Sequence, residues 1–204
     1  MNRGLLITLD GPGGSGKSTL ARAITTRLLQ AGIPAEHTAQ PSPGPIGALA
    51  RAGTYHFHGY ALACLVAADR YHHLDTFIRP ALAAGTTVIC DRYTPSSLVF
   101  QALDGVEQSF ITHLNSRAEP PDLAVFLTCD EAELRRRLAA RGSHGRFEDD
   151  PAISAEETTR YRAVSALYAR QGVPLLKLDA TTTSTDSLAH QVVAAASALP
   201  SAPF

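Results

Sequence analysis

A glycine-rich segment near the N-terminus constrains this chain more than any other feature. The apolar run 5–9 leads through Asp10 into Gly-Pro-Gly-Gly-Ser-Gly-Lys-Ser-Thr, and a helix-like stretch follows. Glycines have no Cβ, so the backbone can curl tightly and aim successive N–H groups at phosphate oxygens. The order of strand, glycine loop and helix therefore predicts a phosphate-binding loop, formed by Gly11, Pro12, Gly13, Gly14, Ser15, Gly16, Lys17, Ser18 and Thr19.

Lys17 and Ser18 have separate expected roles in this loop. The Lys17 ammonium would reach the β- and γ-phosphates of a nucleotide, and the Ser18 hydroxyl would ligate Mg²⁺. Lysine occurs only at positions 17 and 177, so one of the two stands where a compact phosphate-binding cation is needed. The following helix presents its positive N-terminal end to the same anion. We therefore expect ATP and Mg²⁺ to bind here.

Composition and charge limit the remaining possibilities. A chain of 204 residues is most simply one domain, residues 1–204, and a net charge of −1 gives no overall attraction to nucleic acid or to anionic membranes. We therefore expect a small-molecule partner. Cys64, Cys90 and Cys129 lie in apolar surroundings without paired or metal-ligand spacing, which is typical of reduced core cysteines in a cytoplasmic protein. No apolar run is long enough to span a bilayer.

Short apolar runs alternate with helical patterns along the chain. This alternation predicts an α/β fold of the P-loop NTPase kind, a three-layer sandwich in which a parallel sheet carries helices on both faces. Ligands gather at the carboxyl ends of such strands. The predicted strands are 5–9, 35–38, 87–90, 123–128 and 174–178, and residues 40–47 are predicted to form a loop. The predicted helices are 17–31, 55–84, 96–103, 106–116, 131–141, 151–170 and 187–199. The helix 131–141 would have Asp130 as its N-cap and would end at Gly142.

An acid and a base stand where the third predicted strand ends. Asp91 and Arg92 follow the apolar run 88–90. A carboxylate at this level of the sheet can hold Mg²⁺ through water, and a guanidinium can clamp a phosphate with two hydrogen bonds. The alternative is a structural ion pair. We favour the functional interpretation because a Mg-nucleotide site needs an acid at this place.

Two other charged groups are more ambiguous. Asp69 and Arg70 interrupt an otherwise apolar helix, so they either face solvent or line a polar pocket. Arginines 135–137 are typical of a solvated helix face. Arg141 and Arg146 differ, because glycines flank the short segment between them and suggest a hinged lid over about 141–150. A lid of this kind would bring cations to the transferred phosphoryl group and exclude water.

The order of these motifs resembles the thymidylate kinase family of nucleoside monophosphate kinases across nearly the whole chain. The matching segments are the loop 11–19, Pro41 with Pro45-Ile46-Gly47, Cys64-Leu65-Val66-Ala67-Ala68-Asp69-Arg70, Ile78-Arg79-Pro80-Ala81-Leu82, residues 88–93 with Ser96-Ser97, Pro121-Asp122-Leu123, Arg146-Phe147-Glu148 and Asp179-Ala180. The resemblance implies a five-stranded parallel sheet, Mg-ATP as donor, a nucleoside monophosphate as acceptor and commonly a homodimer.

The resemblance also implies roles for individual residues. Lys17, Arg92 and the lid arginines Arg141 and Arg146 would be catalytic, and the lid would supply the cation that the phosphate loop lacks at Ser15. Arg92 would hold the acceptor phosphate, while Ser18 and Asp91 would serve Mg²⁺. The other predicted acceptor-site residues are Arg70 on the pyrimidine base, Ser97 and Gln101 beside that base, and Asp10, Gln40 and Val66. Tyr161 and Tyr168 match aromatic positions of the family.

Three departures from the family pattern fall on the acceptor side. Val66 stands where an aromatic residue usually stacks on the base, Gly13 replaces an acid of the phosphate loop, and Gln40 falls where the family reads Arg-Glu-Pro. We therefore expect an ATP-dependent kinase whose acceptor is dTMP or a variant pyrimidine nucleotide. Base recognition would weaken unless another aromatic residue replaces the missing ring, the candidates being Tyr55, Phe57, Tyr60 and Tyr71.

Two rival functions stay open at this point. A nucleoside kinase would act on a hydroxyl group, and Asp10 would be its candidate general base. A regulatory module would bind a nucleotide without transferring phosphate, although the chain has no guanine-reading Asn-Lys-x-Asp pattern. The sequence does not specify the base, the sugar or the oligomeric state.

Overall fold

The computed structural model describes residues 3–142, 146–149, 151–200 and 202. Its described strands form one parallel sheet, as predicted. The central strands are buried on both faces, which explains why they read as continuous apolar runs in the sequence. The strands are β1 (Leu6–Asp10), β2 (Ala35–Ala39), β3 (Thr87–Asp91), β4 (Leu123–Thr128) and β5 (Leu175–Asp179). Their order across the sheet is β2-β3-β1-β4-β5.

Helices cover both faces of this sheet. The described helices are α1 (Lys17–Gln30), α2 (Pro45–Ala52), α3 (Gly59–His73), α4 (Arg79–Ala83), α5 (Thr94–Leu103), α6 (Gln108–Leu114), α7 (Glu131–Arg141), α8 (Arg146–Asp149), α9 (Pro151–Arg170) and α10 (Thr185–Ser197). Within the described residues, none of these helices combines the length and the apolar character that crossing a membrane requires.

Alternate side chains of each strand enter different cores. Ile7 and Leu9 of β1 pack with α1 and α10 on one face of the sheet. Leu6 packs on the other face with the segment 74–82, and Phe126 of β4 packs there with Tyr161 of α9. The predicted three-layer arrangement is therefore confirmed. It brings the carboxyl ends of β1, β3 and β4, and the loops that follow them, to one edge.

The structure differs from the predictions mainly between residues 45 and 84. The helix predicted for 55–84 begins at Gly59 and continues without a break to Ala83, through α3, a π-helical turn at Leu74–Ile78 and α4. Pro80 lies in the first turn of α4, directly after the π-helical turn. Helix α2 begins inside the predicted loop 40–47. Pro45 occupies its first turn, where the missing N–H of proline costs nothing because it would have had no partner within the helix.

Two local predictions need correction. Asp130 occupies the N-cap position of α7, but its side chain makes no capping hydrogen bond. Cys64 is exposed, whereas Cys90 and Cys129 are buried as expected. The reason is helical periodicity, since Ala63 and Ala67 of α3 face the core and Cys64 falls on the opposite side of the same helix.

Candidate active site

A cavity of about 950 Å³ lies at the carboxyl edge of the sheet, within the size range of small-molecule sites. It runs from the phosphate loop and α7 at one end to α2 and α3 at the other. The predicted site residues that line it are Gly14, Gly16, Lys17, Ser18, Thr19, Gln40, Val66, Arg70, Asp91, Arg92, Ser97, Gln101 and Arg141. The predicted residues outside this lining are Asp10, Gly11, Pro12, Gly13, Ser15 and Arg146.

Glycine is required at several loop positions by the backbone itself. Gly14 and Gly16 have φ values of 79° and 92°, a region that side-chain-bearing residues rarely adopt. A Cβ at Gly11 would also lie 2.6 Å from the carbonyl oxygen of Leu127. Gly16 ends the loop as the N-cap of α1, so the loop amides and the positive end of the helix face the cavity together.

Lys17 is folded back over this loop. Its Nζ donates hydrogen bonds to the carbonyl oxygens of Gly11 at 2.8 Å and Pro12 at 2.7 Å. Burial and then the neighbouring Arg92 cation lower the pKa of Lys17 to about 8, against the opposing attraction of nearby carboxylates. The charged form of Lys17 is therefore poorly hydrated, and an incoming phosphate would stabilise it.

Ser18 and Asp91 meet at the beginning of α1. The Ser18 hydroxyl donates a hydrogen bond to Oδ2 of Asp91, while Oδ1 of Asp91 is buried and has no hydrogen-bond partner among the described residues. Oxygen donors of this kind fit Mg²⁺, which also keeps ligands from water and from substrate phosphates. The described residues contain no group of three His, Cys, Asp or Glu side chains that could hold a metal by themselves.

Arg92 directly follows Asp91, lines the same cavity and is held by α9. It has a φ of 67°, a strained conformation for a residue with a side chain. Its Nη1 donates to the hydroxyl of Tyr161 at 2.9 Å and to the carbonyl of Gly11 at 3.3 Å, and the guanidinium covers the ring of Phe100. The acceptor-phosphate arginine of the sequence analysis therefore lies beside the phosphate loop.

Arg70 is 2% exposed, so the solvated-face interpretation of this residue is wrong. Its Nε donates to Gln40 Oε1 at 2.8 Å and its Nη1 to Ser97 Oγ at 3.0 Å. Further bonds reach the side-chain oxygen of Asn115 and the carbonyl of Tyr93. Burial lowers the pKa of this guanidinium. Arg70, Gln40 and Ser97 thus form one polar cluster in the cavity wall.

Asp69, the neighbour of Arg70, is also buried but has a different partner. Its carboxylate accepts hydrogen bonds from the backbone N–H and the hydroxyl of Ser42, each at 2.6 Å. It therefore fixes the loop between β2 and α2, where Gln40 is found.

The end of the cavity formed by α2 and α3 has an aliphatic wall. Val66 lines it one helical turn before Arg70, together with Leu62. None of the four aromatic residues proposed as substitutes for the missing ring lines this cavity. Tyr55, Phe57 and Tyr60 are exposed, and Tyr71 donates its hydroxyl to the carbonyl of Leu114. Val66 is therefore not compensated by those rings.

Asp10 is buried behind the cavity wall. Its Oδ1 accepts hydrogen bonds from the backbone N–H of Tyr93 at 3.2 Å and of Ser96 at 3.1 Å, and from the Ser96 hydroxyl at 2.6 Å. Burial raises the pKa of this carboxyl. Asp10 thus anchors the beginning of α5, which carries Ser97 and Gln101.

Comparison with known proteins agrees with this geometry. The family model for thymidylate kinase matches residues 9–184 of the chain. The chain belongs to the thymidylate kinase family. The family resemblance and the kinase activity expected from the motif order are therefore confirmed, and the protein is a phosphotransferase of the nucleoside monophosphate kinase type.

Individual relatives match over most of their length. The thymidylate kinase of Xanthomonas oryzae pv. oryzae (strain PXO99A) is 35% identical over 196 residues, which cover 95% of this chain and 84% of the relative. The thymidylate kinase of Xanthomonas campestris pv. campestris (strain B100) gives the same values. The probable thymidylate kinase of Pyrobaculum calidifontis is 35% identical over 178 residues, covering 84% of this chain and 86% of the relative.

The predicted lid of this thymidylate kinase family member is described only in part. Residues 143–145 and 150 lie outside the described residues. Arg141 is exposed at the end of α7 and lines the cavity. Arg146 pairs instead with Asp104, with 2.7 Å between Nη2 and Oδ1, and Phe147 packs 5.0 Å from the Phe100 ring. The structure therefore brings one predicted lid arginine to the cavity and places the other outside its lining.

Sequence reasoning missed four residues of this site. Arg136 and Arg137 were assigned to a solvated face, and Arg136 is indeed largely exposed. Both nevertheless line the cavity, and both are held by Glu133. Arg51 lines the opposite end and donates to the carbonyl of Ser42 at 2.6 Å. Glu157 accepts a hydrogen bond from the Gly13 N–H at 3.1 Å. Arg51 follows the Pro45-Ile46-Gly47 motif by one turn, whereas nothing in the sequence distinguishes Glu157 from Glu156.

Proposed function

We propose that this protein transfers the γ-phosphoryl group of Mg-ATP to the phosphate of dTMP. The observation that carries this choice of acceptor is that the buried Arg70 and Gln101 line the same cavity. Four hydrogen bonds account for four of the five guanidinium N–H groups of Arg70, which leaves one donor. The Oε1 of Gln101 is buried and has no hydrogen-bond partner among the described residues. Gln101 lies one helical turn beyond Ser97, which accepts a hydrogen bond from Arg70, so the same part of the cavity wall carries one spare donor and one spare acceptor.

This pair matches the edge of thymine or uracil better than that of cytosine. Thymine presents a carbonyl oxygen to a donor and its ring N–H to an acceptor, whereas cytosine presents an amino group and an unprotonated ring nitrogen at the same places. The Gln101 amide could turn around, but the Arg70 guanidinium can only donate. A cytosine amino group would therefore meet a buried cation, which costs about 1–3 kcal/mol through unsatisfied donors.

The donor half of the mechanism rests on the phosphate loop. We propose that the loop amides and Lys17 hold the β- and γ-phosphates of ATP, and that Ser18 and Asp91 hold Mg²⁺. The metal, when bound, neutralises charge on the phosphate oxygens. The lowered pKa of Lys17 reflects burial, and phosphate oxygens restore a favourable setting for its charged form. Arg141 from α7, with Arg146, would supply cations to the transferred group.

The acceptor half rests on Arg92, which we propose holds the acceptor phosphate. Tyr161 and Gly11 orient its guanidinium toward the phosphate loop. The acceptor oxygen is already anionic near neutral pH, so positioning and charge neutralisation suffice and no strong base is needed. Asp10, the base that a nucleoside kinase would use, lies outside the cavity lining, and three hydrogen bonds hold its Oδ1 at the start of α5. This placement favours the monophosphate acceptor.

Turnover of a matched acceptor panel tests this proposal. Purified protein is assayed with Mg-ATP against dTMP, dUMP, dCMP and thymidine, and both ADP and the phosphorylated product are measured. We expect dTMP to be used best and dCMP at least about 10-fold worse in kcat/KM, as one unsatisfied donor predicts. Preference for dCMP, or activity on thymidine alone, would contradict the proposed acceptor.

We also propose that the chain forms a homodimer. One side of α3 carries Ala61, Cys64, Leu65 and Ala68, spaced three or four residues apart, and these apolar side chains are exposed or half-buried. Leu49 of α2 and Tyr60 are exposed as well. A second copy would cover this small-residue face by helix packing. The single-domain organisation of residues 1–204 and the cytoplasmic location stay predictions.

A further inference from the structure

Glu157 places a buried carboxylate against the phosphate loop. It belongs to α9, is 2% exposed, and its Oε1 accepts a hydrogen bond from the backbone N–H of Gly13 at 3.1 Å. A buried charge of this kind is costly unless neighbouring groups compensate it. Gly13 has no side chain, so the carboxylate can approach the loop backbone directly. A helix that follows the lid in sequence is thereby tied to the donor-binding loop.

The same helix also holds Arg92. Glu157 Oε1 lies 4.0 Å from Arg92 Nη1, and Tyr161, one turn further along α9, accepts a hydrogen bond from that nitrogen at 2.9 Å. Arg92 Nη1 in turn donates to the carbonyl of Gly11 at 3.3 Å. The phosphate loop and the arginine after β3 are therefore both fastened to one rigid element, at positions four residues apart.

We propose that Glu157 is a positioning residue that sets the distance between the phosphate loop and Arg92. This role rests on the proposed function, in which the loop holds the donor phosphates and Arg92 holds the acceptor phosphate. In-line transfer needs the two phosphates at a fixed separation, and a displacement of about 1 Å can cost roughly 10²-fold in rate. Glu157 contacts both holders and needs no contact with either substrate.

The charge of Glu157 has a second consequence for Arg92. Arg92 stands close enough to Lys17 for its positive charge to lower the pKa of Lys17. A triphosphate bound at the loop would attract Arg92 as well as Lys17. The Glu157 carboxylate is fixed by the Gly13 amide and attracts Arg92 in turn. It therefore opposes a displacement of Arg92 toward the triphosphate, so that Arg92 can still bind the acceptor phosphate. Loss of this charge should therefore harm use of the acceptor more than binding of ATP.

The test compares Glu157→Gln with Glu156→Gln. Both changes replace a carboxylate by an amide on adjacent residues of α9, but Glu156 is exposed and pairs with Arg160. Glutamine at 157 can still accept from the Gly13 N–H but carries no charge. We expect Glu157→Gln to lower kcat/KM for dTMP about 10-fold and to leave the KM for ATP within about 2-fold, while Glu156→Gln behaves as the wild type. Wild-type kinetics for Glu157→Gln would overturn the proposal.

A double-mutant cycle separates positioning from a loss of stability. Arg92→Ala, Glu157→Gln and the double variant are compared by kcat/KM for dTMP, with thermal unfolding measured in parallel. If Glu157 acts through Arg92, its substitution adds less than about 2-fold to the loss already caused by Arg92→Ala. Fully additive losses, or a loss that affects ATP and dTMP equally and follows a lowered Tm, would overturn the positioning role.

The same assay distinguishes failure of the positioning role from failure of the proposed function. If the wild type and Glu156→Gln both lack activity on dTMP, the proposed function fails and the positioning role fails with it. If both are active and Glu157→Gln is equally active, only the positioning role is overturned.

Discussion

The side-chain oxygen of Gln40 accepts a hydrogen bond from Nε of Arg70 at 2.8 Å, deep in the wall of the cavity. The other hydrogen bonds of Arg70 go to Ser97, Asn115 and the backbone of Tyr93, so every acceptor is neutral. Buried cations usually have a charged partner. The positive charge of this guanidinium is therefore not neutralised by its hydrogen-bond partners, and it can attract electronegative atoms of a ligand in the cavity.

Restoring an acid at position 40 should therefore stabilise the protein. In Gln40→Glu a carboxylate accepts the same Nε hydrogen bond, and a charge-assisted bond to an already buried arginine is stronger than a neutral one. We expect about 1 kcal/mol of added stability, which raises Tm by about 2–4 °C for a chain of this size. Thermal unfolding measures the effect, with the exposed Gln191→Glu as control. A lowered Tm would show that desolvation of the new carboxylate outweighs the pairing.

Lys17→Ala should abolish phosphoryl transfer without unfolding the protein. The Nζ group bonds only to atoms of its own loop among the contacts described, so the sheet and its helices stay intact. We expect kcat/KM to fall at least about 10³-fold, as for loss of a preorganised charge at a transition state. The other lysine of the chain, exposed Lys177, provides the control in Lys177→Ala. Substantial turnover by Lys17→Ala would contradict the assigned donor site.

Binding of ATP should take up a proton in mildly alkaline solution. The pKa of Lys17 in the free protein is about 8, so above that pH the side chain is increasingly neutral. Bound phosphates favour the charged form of Lys17, so the pKa of Lys17 rises on binding and the side chain takes up a proton from solution. We expect ATP affinity to fall by up to about 10-fold per pH unit above pH 8 and to change little just below it.

Calorimetry in buffers of different ionisation enthalpy measures this uptake directly at pH 8.5–9. The Lys17→Ala variant should lose it. Proton release on binding, or the same uptake in Lys17→Ala, would show that another group titrates.

Val66→Phe should strengthen recognition of the acceptor base. Val66 lines the cavity one turn before Arg70, and no substitute ring was found among Tyr55, Phe57, Tyr60 and Tyr71. Stacking on an aromatic ring contributes about 1–3 kcal/mol per base, so the KM for dTMP should fall about 5-fold or more. Val66→Leu adds volume without a ring and serves as control. An equal fall of the KM for dTMP in both variants would point to packing rather than stacking. A rise of that KM in Val66→Phe alone would show that the cavity cannot accommodate the ring together with the base.

Ala68→Glu should disrupt the proposed homodimer. A charged side chain on the exposed apolar side of α3 could not be buried against a second copy without a partner. We expect light scattering after size exclusion to give about twice the chain mass for the wild type and one chain mass for the variant. Ala169→Glu, at an exposed position of α9, is the control and should stay dimeric. A monomeric wild type would contradict the dimer itself.

Much of the fold was predictable because it depends on local patterns. Buried parallel strands appear in the sequence as short apolar runs, and the glycine loop predicts a strand before it and a helix after it. The strand predictions 5–9 and 123–128 therefore lie within one residue of β1 and β4. Helix α2 was missed because Pro45 was weighed as a loop signal, although proline also begins helices. Cys64 was misplaced because an apolar segment by itself does not show which helical face is buried.

From residue chemistry alone, the site was predictable where one stretch of chain carries a complete chemical function, whereas Gln40, Arg70 and Ser97 were identified through the family resemblance. Glycines, Lys17 and Ser18 are adjacent in sequence, and their spacing alone defines where phosphate and metal would lie. Glu157, by contrast, meets Gly13 from 144 positions away, and its identical neighbour Glu156 faces solvent. Which of two adjacent glutamates enters the core depends on how α9 packs against α5 and β4. Long-range packing of this kind leaves no local signature, so only the tertiary structure decided it.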